Sequence, residues 1–151
     1  LPVGVQSLTE FFDISFYRPF SGEEILREFG RTRIPDFLLV SCHELKGKAP
    51  IPESEELRVS LPESLARQVP QRIESFNTAK SLIYTKSTEK RSKTYNLKQI
   101  VFSMILQDNL LIIHKSLQSP SLYDVLAEIL NIPKEELYHC HIERLSFGFS
   151  G

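Results

Sequence analysis

The sequence has few cysteines, no long apolar run and almost no net charge, and each of these absences excludes a class of protein. Its two cysteines, Cys42 and Cys140, are too few for the disulfide framework of a small secreted domain, so a reducing compartment is predicted. No stretch approaches the roughly 20 apolar residues of a membrane-spanning helix, and no signal peptide is visible. A net charge of -1 argues against a surface dominated by nonspecific nucleic-acid binding, although it allows a local basic patch.

Common enzyme signatures are missing as well. The chain has neither a glycine-rich phosphate loop nor a nucleophile elbow. With 151 residues, of which 41% are hydrophobic and 25% charged, it has the composition of an ordinary globular protein with one core. We therefore expect a single domain over residues 1–151. Because the sequence starts at Leu1 and stops at Gly151, we also expect a fragment of a larger protein.

The most apolar run, YNLKQIVFSMILQDNLLII, covers Tyr95–Ile113 and predicts the element around which the chain is organised. Apolar residues recur at helical spacing over Leu97–Ile105, with uncharged polar residues on the opposite stripe, which predicts a buried helix. Asp108 and Asn109 then break the period. The continuous apolar run Leu110–Ile113 favours a buried strand.

Other segments are predicted from turn and capping signals. Strands are expected where aromatic, β-branched or alternating residues occur, at Phe11–Tyr17, Phe37–Glu44 and Leu57–Val59. Short helices are expected between Ser60 and Pro70, from Leu122 to Leu130, and after Asn131. Glu23–Phe29 is open between a helical turn, capped by Ser21 and Glu24, and the return strand of a hairpin.

Two polar or mixed segments separate these elements. Arg72–Tyr84 is ambiguous between helix and hairpin, and the β-branched and aromatic residues around Asn77 and Thr78 favour a hairpin turning there. Lys86–Lys93, with four cations and one acid, is predicted to be a loop. A solvated surface explains so small a cluster better than contact with a phosphate backbone does.

Histidines and cysteines suggest two kinds of chemistry, and neither is favoured. Cys42 and His43, with the His139–His141 segment, lack the ligand spacing of a zinc site, because adjacent strand side chains point to opposite faces. We therefore expect no metal. A cysteine nucleophile is also disfavoured, because Cys42 falls on the apolar side of its predicted strand, where burial suppresses thiol reactivity.

Four segments in order resemble one family: FFDISFYRPFSGEE, PDFLLVSCHEL, NLKQIVFSMILQDNLLII and SLYDVLAEILNIPKEELYHCHIE. They are similar to the central cap-binding domain of polymerase basic protein 2, a subunit of orthomyxovirus RNA polymerases, in a divergent, thogotovirus-like branch. The resemblance covers most of Phe11–Glu143, with its best block at Gln99–Ile112. It implies an α+β fold in which an antiparallel sheet with a hairpin packs against a small helical bundle.

The same resemblance implies a function. The family's domain holds the 5′ cap of a host messenger RNA for cap snatching during viral transcription and is not itself catalytic. The implied partners are other polymerase subunits and, with weak affinity, capped or viral RNA. Neither a cofactor nor a membrane is expected, and the implied location is the host cell nucleus and the virion.

When the family's cap-site positions are carried over residue by residue, the resemblance implies that the cap pocket is eroded. The resemblance marks these positions as vestigial cap-site candidates: His43, Gly47, Asn77, Phe102, Ile105, Gln107 and Tyr123. Ile105 has no π-face where an aromatic slab should stack on 7-methylguanine, and Gly47 stands where a carboxylate should read the guanine edge. Together these losses weaken cap binding by roughly two to four orders of magnitude.

Three alternatives stay open beside weak or absent cap binding. A rearranged pocket using His43 and Phe102 would make the domain a functional cap binder. A degenerate cysteine hydrolase is the second alternative. A pure protein-interaction domain, with an exposed apolar patch and no nucleotide pocket, is the third.

Overall fold

The computed structural model describes residues 5–8, 10, 12, 14–35, 38–117 and 120–149. The chain divides into two compact units, one formed by Leu1–Glu10 with Ile51–Gly151 and the other by Phe11–Pro50. Each unit is described by itself. A single domain over the whole chain stays a prediction.

Short helices alternate with strands along the chain. In sequence order the elements are β1 (Val5–Ser7), α1 (Gly22–Thr32), β2 (Pro52–Ser60), α2 (Glu63–Ala66), α3 (Val69–Thr78), β3 (Ile83–Thr88), β4 (Arg91–Asn96), α4 (Leu97–Ile100), β5 (Val101–Gln107), β6 (Leu110–Ser116), α5 (Leu122–Leu130), α6 (Lys134–Leu137) and β7 (His141–Phe149). No described helix is long and apolar enough to cross a lipid bilayer.

The first unit is built on a five-stranded sheet in the order β1, β7, β2, β6, β5. β1 runs parallel to β7, whereas the other neighbours are antiparallel. Burial alternates along β2, so that Leu57 and Val59 face the core and Arg58 faces the other side. The predicted mixture of helices and antiparallel strands is confirmed, but the sheet is mixed and the arrangement is not specific to the cap-binding domain.

The central stretch is mostly strand, and the predicted buried helix is wrong. Only the single turn of α4 is helical, and β5 then pairs with β6 around a turn at Asp108, whose φ is 54°. A β-bulge lies between Val101 and Ser103. The bulge puts both Val101 and Met104 on the buried side, three residues apart, which imitates helical spacing in a strand. The predicted strand at Leu110–Ile113 is confirmed within β6.

The predicted hairpin at Arg72–Tyr84 is also wrong, because α3 occupies most of that segment. Pro70 lies in its first turn, where the missing N–H costs nothing, and Ile73 and Phe76 bury one face. Lys98 donates hydrogen bonds to the carbonyl oxygens of Phe76 and Asn77 at the end of the helix. These contacts satisfy two terminal carbonyl groups.

The hairpin lies one element later, where a loop was predicted at Lys86–Lys93. β3 and β4 form a two-stranded antiparallel sheet, hereafter the ribbon, with Glu89 and Lys90 at its turn. Tyr84 and Tyr95 at its base pack against the core, whereas residues 85–94 are exposed. The ribbon is therefore a projecting arm with an anchored base.

The two last helices agree with the sequence. α5 begins after Ser121, whose hydroxyl accepts a hydrogen bond from the backbone N–H of Asp124. Asn131 ends the helix in the left-handed conformation, with φ 53°. The expected further turn after Asn131 is α6.

In the second unit, α1 resolves the segment left open by the sequence. Ser21 and Glu24 form a capping box at its start, as the helical alternative required. A Cβ on Gly22 would lie 2.6 Å from the Cys42 carbonyl oxygen, so the helix begins against that backbone.

The strands predicted at Phe11–Tyr17 and Phe37–Glu44 are absent from the described part of the second unit, while Phe11, Asp13 and Phe37 fall outside the described residues. Aromatic or alternating residues alone do not make a strand, because a strand needs a hydrogen-bonding neighbour. Leu38 and Val40 are more than 80% exposed instead of buried.

Candidate functional site

Most of the cationic side chains of the ribbon lie on one of its two faces. Side chains alternate across a strand, so three cross-strand pairs share this face: Tyr84 with Tyr95, Lys86 with Lys93, and Thr88 with Arg91. We call this surface the basic face. The other face carries only uncharged side chains: Ile83, Thr85, Ser87, Ser92, Thr94 and Asn96.

Two lysines stand directly opposite each other on the basic face. Like charges in that position destabilise a β-pair. Lys86 is compensated by Asp124, whose Oδ2 lies 3.1 Å from its Nζ. Lys93 lies over the ring of Tyr95, with 5.0 Å between Nζ and the ring centroid. Local contacts therefore hold both charges in place despite their repulsion.

Asp124 fixes the ribbon to the helices. Its side chain is only 2% exposed and accepts hydrogen bonds from Lys86, from Lys134 and from the Ser121 hydroxyl, the last at 2.8 Å. Burial alone would raise the pKa of Asp124, but the hydrogen bonds from Lys134, Ser121, Lys86 and Tyr84 outweigh it and hold the pKa well below its usual range. We call these five residues the Asp124 centre.

The Asp124 centre carries an excess of positive charge at the surface. One carboxylate meets two lysines, and the side chains of Lys86 and Lys134 remain 44% and 39% exposed. The hydrogen bond to Asp124 raises the pKa of Lys134, which keeps that amine charged. Burial, followed by the bond to Asp124, raises the pKa of the Tyr84 hydroxyl, so it stays a neutral donor. The centre can therefore attract an anion while its own carboxylate stays satisfied.

An aromatic pair lies beside this centre. The rings of Tyr123 and Tyr138 meet edge to face, with their centroids 4.9 Å apart. Tyr138 directly follows α6, and its backbone N–H donates to the carbonyl oxygen of Lys134. Tyr123 is partly buried and packs against the core, whereas Tyr138 is 57% exposed. An exposed ring thus stands next to one of the lysines of the Asp124 centre.

A second charged cluster lies inside the first unit. Glu55 accepts a hydrogen bond from Lys115 Nζ at 3.1 Å and from Arg144 Nε at 2.9 Å, and Arg144 Nη1 donates to Glu10 at 2.8 Å. The guanidinium also lies over the ring of Phe147. The two acids balance the two cations, and Glu55, Lys115 and Arg144 are buried. We call this cluster the Glu55 centre, and its closed, neutral geometry is that of a structural element.

Ser54 and His114 make the only described pair with the geometry of a nucleophile and its base. Their Oγ and Nε2 atoms are 3.1 Å apart on the outer face of the sheet, and Phe102 meets the imidazole edge to face. Within the described part of the chain no carboxylate forms an ion pair with His114, although Glu56 stands opposite it in the ladder. Without an orienting acid, the pair is a cross-strand hydrogen bond between β2 and β6.

The cysteines are separated by unit and environment. Cys140 is buried in the first unit, and its thiol donates to the Glu136 carbonyl oxygen at 3.8 Å. Burial raises the pKa of Cys140, which disfavours the reactive thiolate. Cys42 is partly buried in the second unit. A cysteine hydrolase gains no support from Cys140.

The histidines are likewise dispersed. His141 lies 3.3 Å from Glu143 on β7, and His139 lies in the turn before that strand, while His43 belongs to the second unit. Among the residues that the structure describes, no group of three or more histidine, cysteine, aspartate or glutamate side chains is placed to hold a metal ion.

The residues marked by the resemblance are spread over several elements. His43 and Gly47 lie in the second unit, and the other five lie in the first: Asn77 on α3, Phe102, Ile105 and Gln107 on β5, and Tyr123 on α5. Phe102 and Ile105 are 56% and 53% exposed on the outer side of an edge strand. Their assignment as remnants of a cap site stays a prediction.

The basic face was missed because its pattern is alternation among polar residues, which a hydrophobicity profile does not register. Its turn, Glu89 and Lys90, also lacks the Asn-Gly or Asp-Gly signal of a tight hairpin. Asp124 could have been noticed as the single acid in the apolar run SLYDVL. A buried carboxylate needs partners, and those partners are distant in sequence.

A family model described as "Uncharacterized protein conserved in bacteria (DUF2344)" matches residues 1–127. No curated protein and no solved structure matches the chain. The family match overturns the viral interpretation.

The resemblance to an orthomyxovirus polymerase subunit is therefore wrong, and so are the functions that followed from it. Cap snatching, viral transcription and an eroded viral cap-binding domain do not describe a family conserved in bacteria. A location in the host nucleus and the virion is wrong for the same reason. Polymerase subunits and weakly bound capped or viral RNA followed as partners from the same resemblance, and these partner predictions are untested.

Proposed function

We propose that this chain, which belongs to the bacterial family DUF2344, is a noncatalytic domain that binds nucleic acid through the basic face of its ribbon. One observation carries the proposal: Lys86, Lys93 and Arg91 share one face of a projecting two-stranded arm whose other face has no charge. Two-stranded ribbons are among the few elements slender enough to follow a nucleic-acid groove or backbone. Phosphate is the ligand that clustered, exposed lysine and arginine side chains attract most strongly.

The unfavourable pairing of Lys86 with Lys93 supports the proposal. Placing two lysines opposite each other costs stability, and the chain bears this cost at an exposed position where an uncharged residue would fit. A polyanion gains from that arrangement, because it meets two cations at one cross-strand spacing. The Asp124 centre adds Lys134 to the same charged surface.

The net charge of -1 limits the strength of the interaction. Three cations on the basic face, with Lys134 beside it, predict modest affinity, roughly in the micromolar to tenth-millimolar range typical of backbone contacts at physiological salt. The proposal assigns no catalysis: burial raises the pKa of the Cys140 thiol, and among the described residues no carboxylate forms an ion pair with His114 of the Ser54–His114 pair.

The test is a fluorescence-anisotropy titration of a labelled oligonucleotide at about 50 and 200 mM salt. The double variant Arg91→Gln, Lys93→Gln removes two charges from the basic face. We expect roughly tenfold weaker binding and a salt slope reduced by about 1.4, because each lost phosphate contact removes about 0.7 from the slope on a single strand.

The matched control is Lys46→Gln, Lys48→Gln, which makes the same charge change at exposed residues of the second unit. We expect its affinity to stay within about twofold of the parent. Equal losses in both double variants would reduce the effect to net charge and overturn the assignment of the basic face. Absence of saturable binding by the parent at low salt would refute the proposed function itself.

A further inference from the structure

We infer that the nucleic acid is single-stranded and that one of its bases stacks on Tyr138. This inference rests on the proposed function and adds the form of the ligand to it. The observation behind it is an exposed aromatic ring at the edge of the charged surface. Every base has a π-face, so such a ring accepts bases with little regard to sequence.

Contacts connect Tyr138 to the ribbon. Lys86 of β3 and Lys134 of α6 both donate to Asp124, so the carboxylate joins the ribbon to the start of α6. Tyr138 closes α6 through its backbone bond to Lys134. A strand whose phosphates meet Lys86 and Lys134 therefore has a base within reach of the Tyr138 ring.

Tyr123 gives the Tyr138 ring a defined orientation. The two rings lie 73° from parallel with 4.9 Å between their centroids, and Tyr123 is partly buried against the core. A ring held in this way loses little conformational freedom when a base stacks on it, which is the condition for an effective platform. The other tyrosines near the charged surface, Tyr84 and Tyr95, pack against the core at the base of the ribbon.

A duplex does not offer this contact. Its bases are already paired and stacked on one another, so an aromatic side chain on the protein surface reaches only its phosphates and sugars. The basic face would contact a single strand and a duplex alike through phosphate. Stacking on Tyr138 would add affinity only for the single strand. Comparing the affinities for a single strand and a duplex therefore separates the stacking contribution from the phosphate contribution.

The experiment compares three probes of about 12 nucleotides: a polyuridine strand, a duplex, and an abasic strand with the same phosphates. We expect the parent to bind polyuridine at least about fivefold more tightly than the abasic strand. Tyr138→Ala should remove that advantage, weakening polyuridine binding roughly five- to hundredfold without changing the salt slope or the affinity for the duplex.

Two controls keep the result specific. Tyr138→Phe retains the ring and should bind polyuridine like the parent, and Tyr17→Ala removes another fully exposed tyrosine without effect. If Tyr138→Ala leaves polyuridine binding unchanged, or weakens the duplex equally, stacking is refuted. If binding still depends on Arg91 and Lys93 in that case, the proposed function survives while this inference fails. Absence of binding by the parent refutes both.

Discussion

Glu55 and Asp124 are both buried carboxylates that receive two cationic side chains, yet their surroundings differ. At the Glu55 centre, Lys115 and Arg144 are buried with their acid, and Glu10 neutralises the remaining charge. At the Asp124 centre, the two lysine side chains stay partly exposed, and one positive charge is left over. Similar ion-pair chemistry is therefore sealed inside the fold at one centre, whereas at the other it leaves partly exposed cations at the surface.

Breaking the Glu55 centre is expected to have the largest effect on stability. Glu55→Gln would leave Lys115 and Arg144 buried beside a neutral amide, which costs about 3–5 kcal/mol of unfolding free energy. Urea denaturation measures the loss. Glu56→Gln is the matched control, because Glu56 neighbours it on the other face of β2 and is less buried; a change below about 0.5 kcal/mol is expected there. A loss below about 1 kcal/mol for Glu55→Gln would contradict the sealed-centre interpretation.

Neutralising Asp124 should lower the free energy of unfolding by less than Glu55→Gln does. It should also change how that free energy depends on pH. The pKa of this carboxyl is depressed in the folded state, so its contribution is complete above the unfolded value of about 3.9 and is lost as pH falls further. Asp124→Asn should lose about 1.5–3 kcal/mol at pH 7. The difference in unfolding free energy between Asp124→Asn and the parent should shrink as the pH falls from about 5 towards 2. Thermal unfolding across that pH range measures it.

Asp108→Asn is the control for the pH experiment. Asp108 is exposed, and asparagine tolerates its positive φ of 54°. Its stability curve should run parallel to that of the parent at every pH. A parallel curve for Asp124→Asn as well would mean that Asp124 does not supply the acid-sensitive stability.

The smallest expected effect on stability is at the basic face. Lys93→Gln removes a charge that faces Lys86, so we expect a gain of up to about 0.5 kcal/mol, or no change. The same substitution should weaken nucleic-acid binding. Thermal shift beside an affinity titration measures both quantities. A destabilisation above about 1 kcal/mol would show that Lys93 serves the fold and would overturn its assignment to a ligand-binding surface.

The sequence predicts a helix or strand well when the residues that specify it lie within one short segment. α5 follows from an amphipathic run with a serine cap, and both signals lie within one short segment. β5 was misread because its bulge places Val101 and Met104 on one side, as a helix would. The ribbon was predicted to be a loop because both faces of its strands are largely polar. Its strands therefore show no hydrophobic periodicity.

The candidate site could not be predicted from the sequence, for a different reason. Lys86, Asp124 and Lys134 come from three elements that only the folded chain brings together. In the sequence each of the two lysines fits a solvated surface residue, and nothing near the acid in SLYDVL identifies its partners. What distinguishes Asp124 is its burial, and the lysines that bond it come from β3 and α6, which are distant from it in sequence or separated from it by a turn.

The bulge in β5 also bears on solubility. β5 forms an edge of the described sheet and carries no charged side chain from Val101 to Gln107, so its backbone could recruit a strand from another molecule. A bulge twists an edge and interrupts its regular row of donors and acceptors. Deleting one residue at Phe102–Ser103 would restore a regular ladder and remove that protection against aggregation.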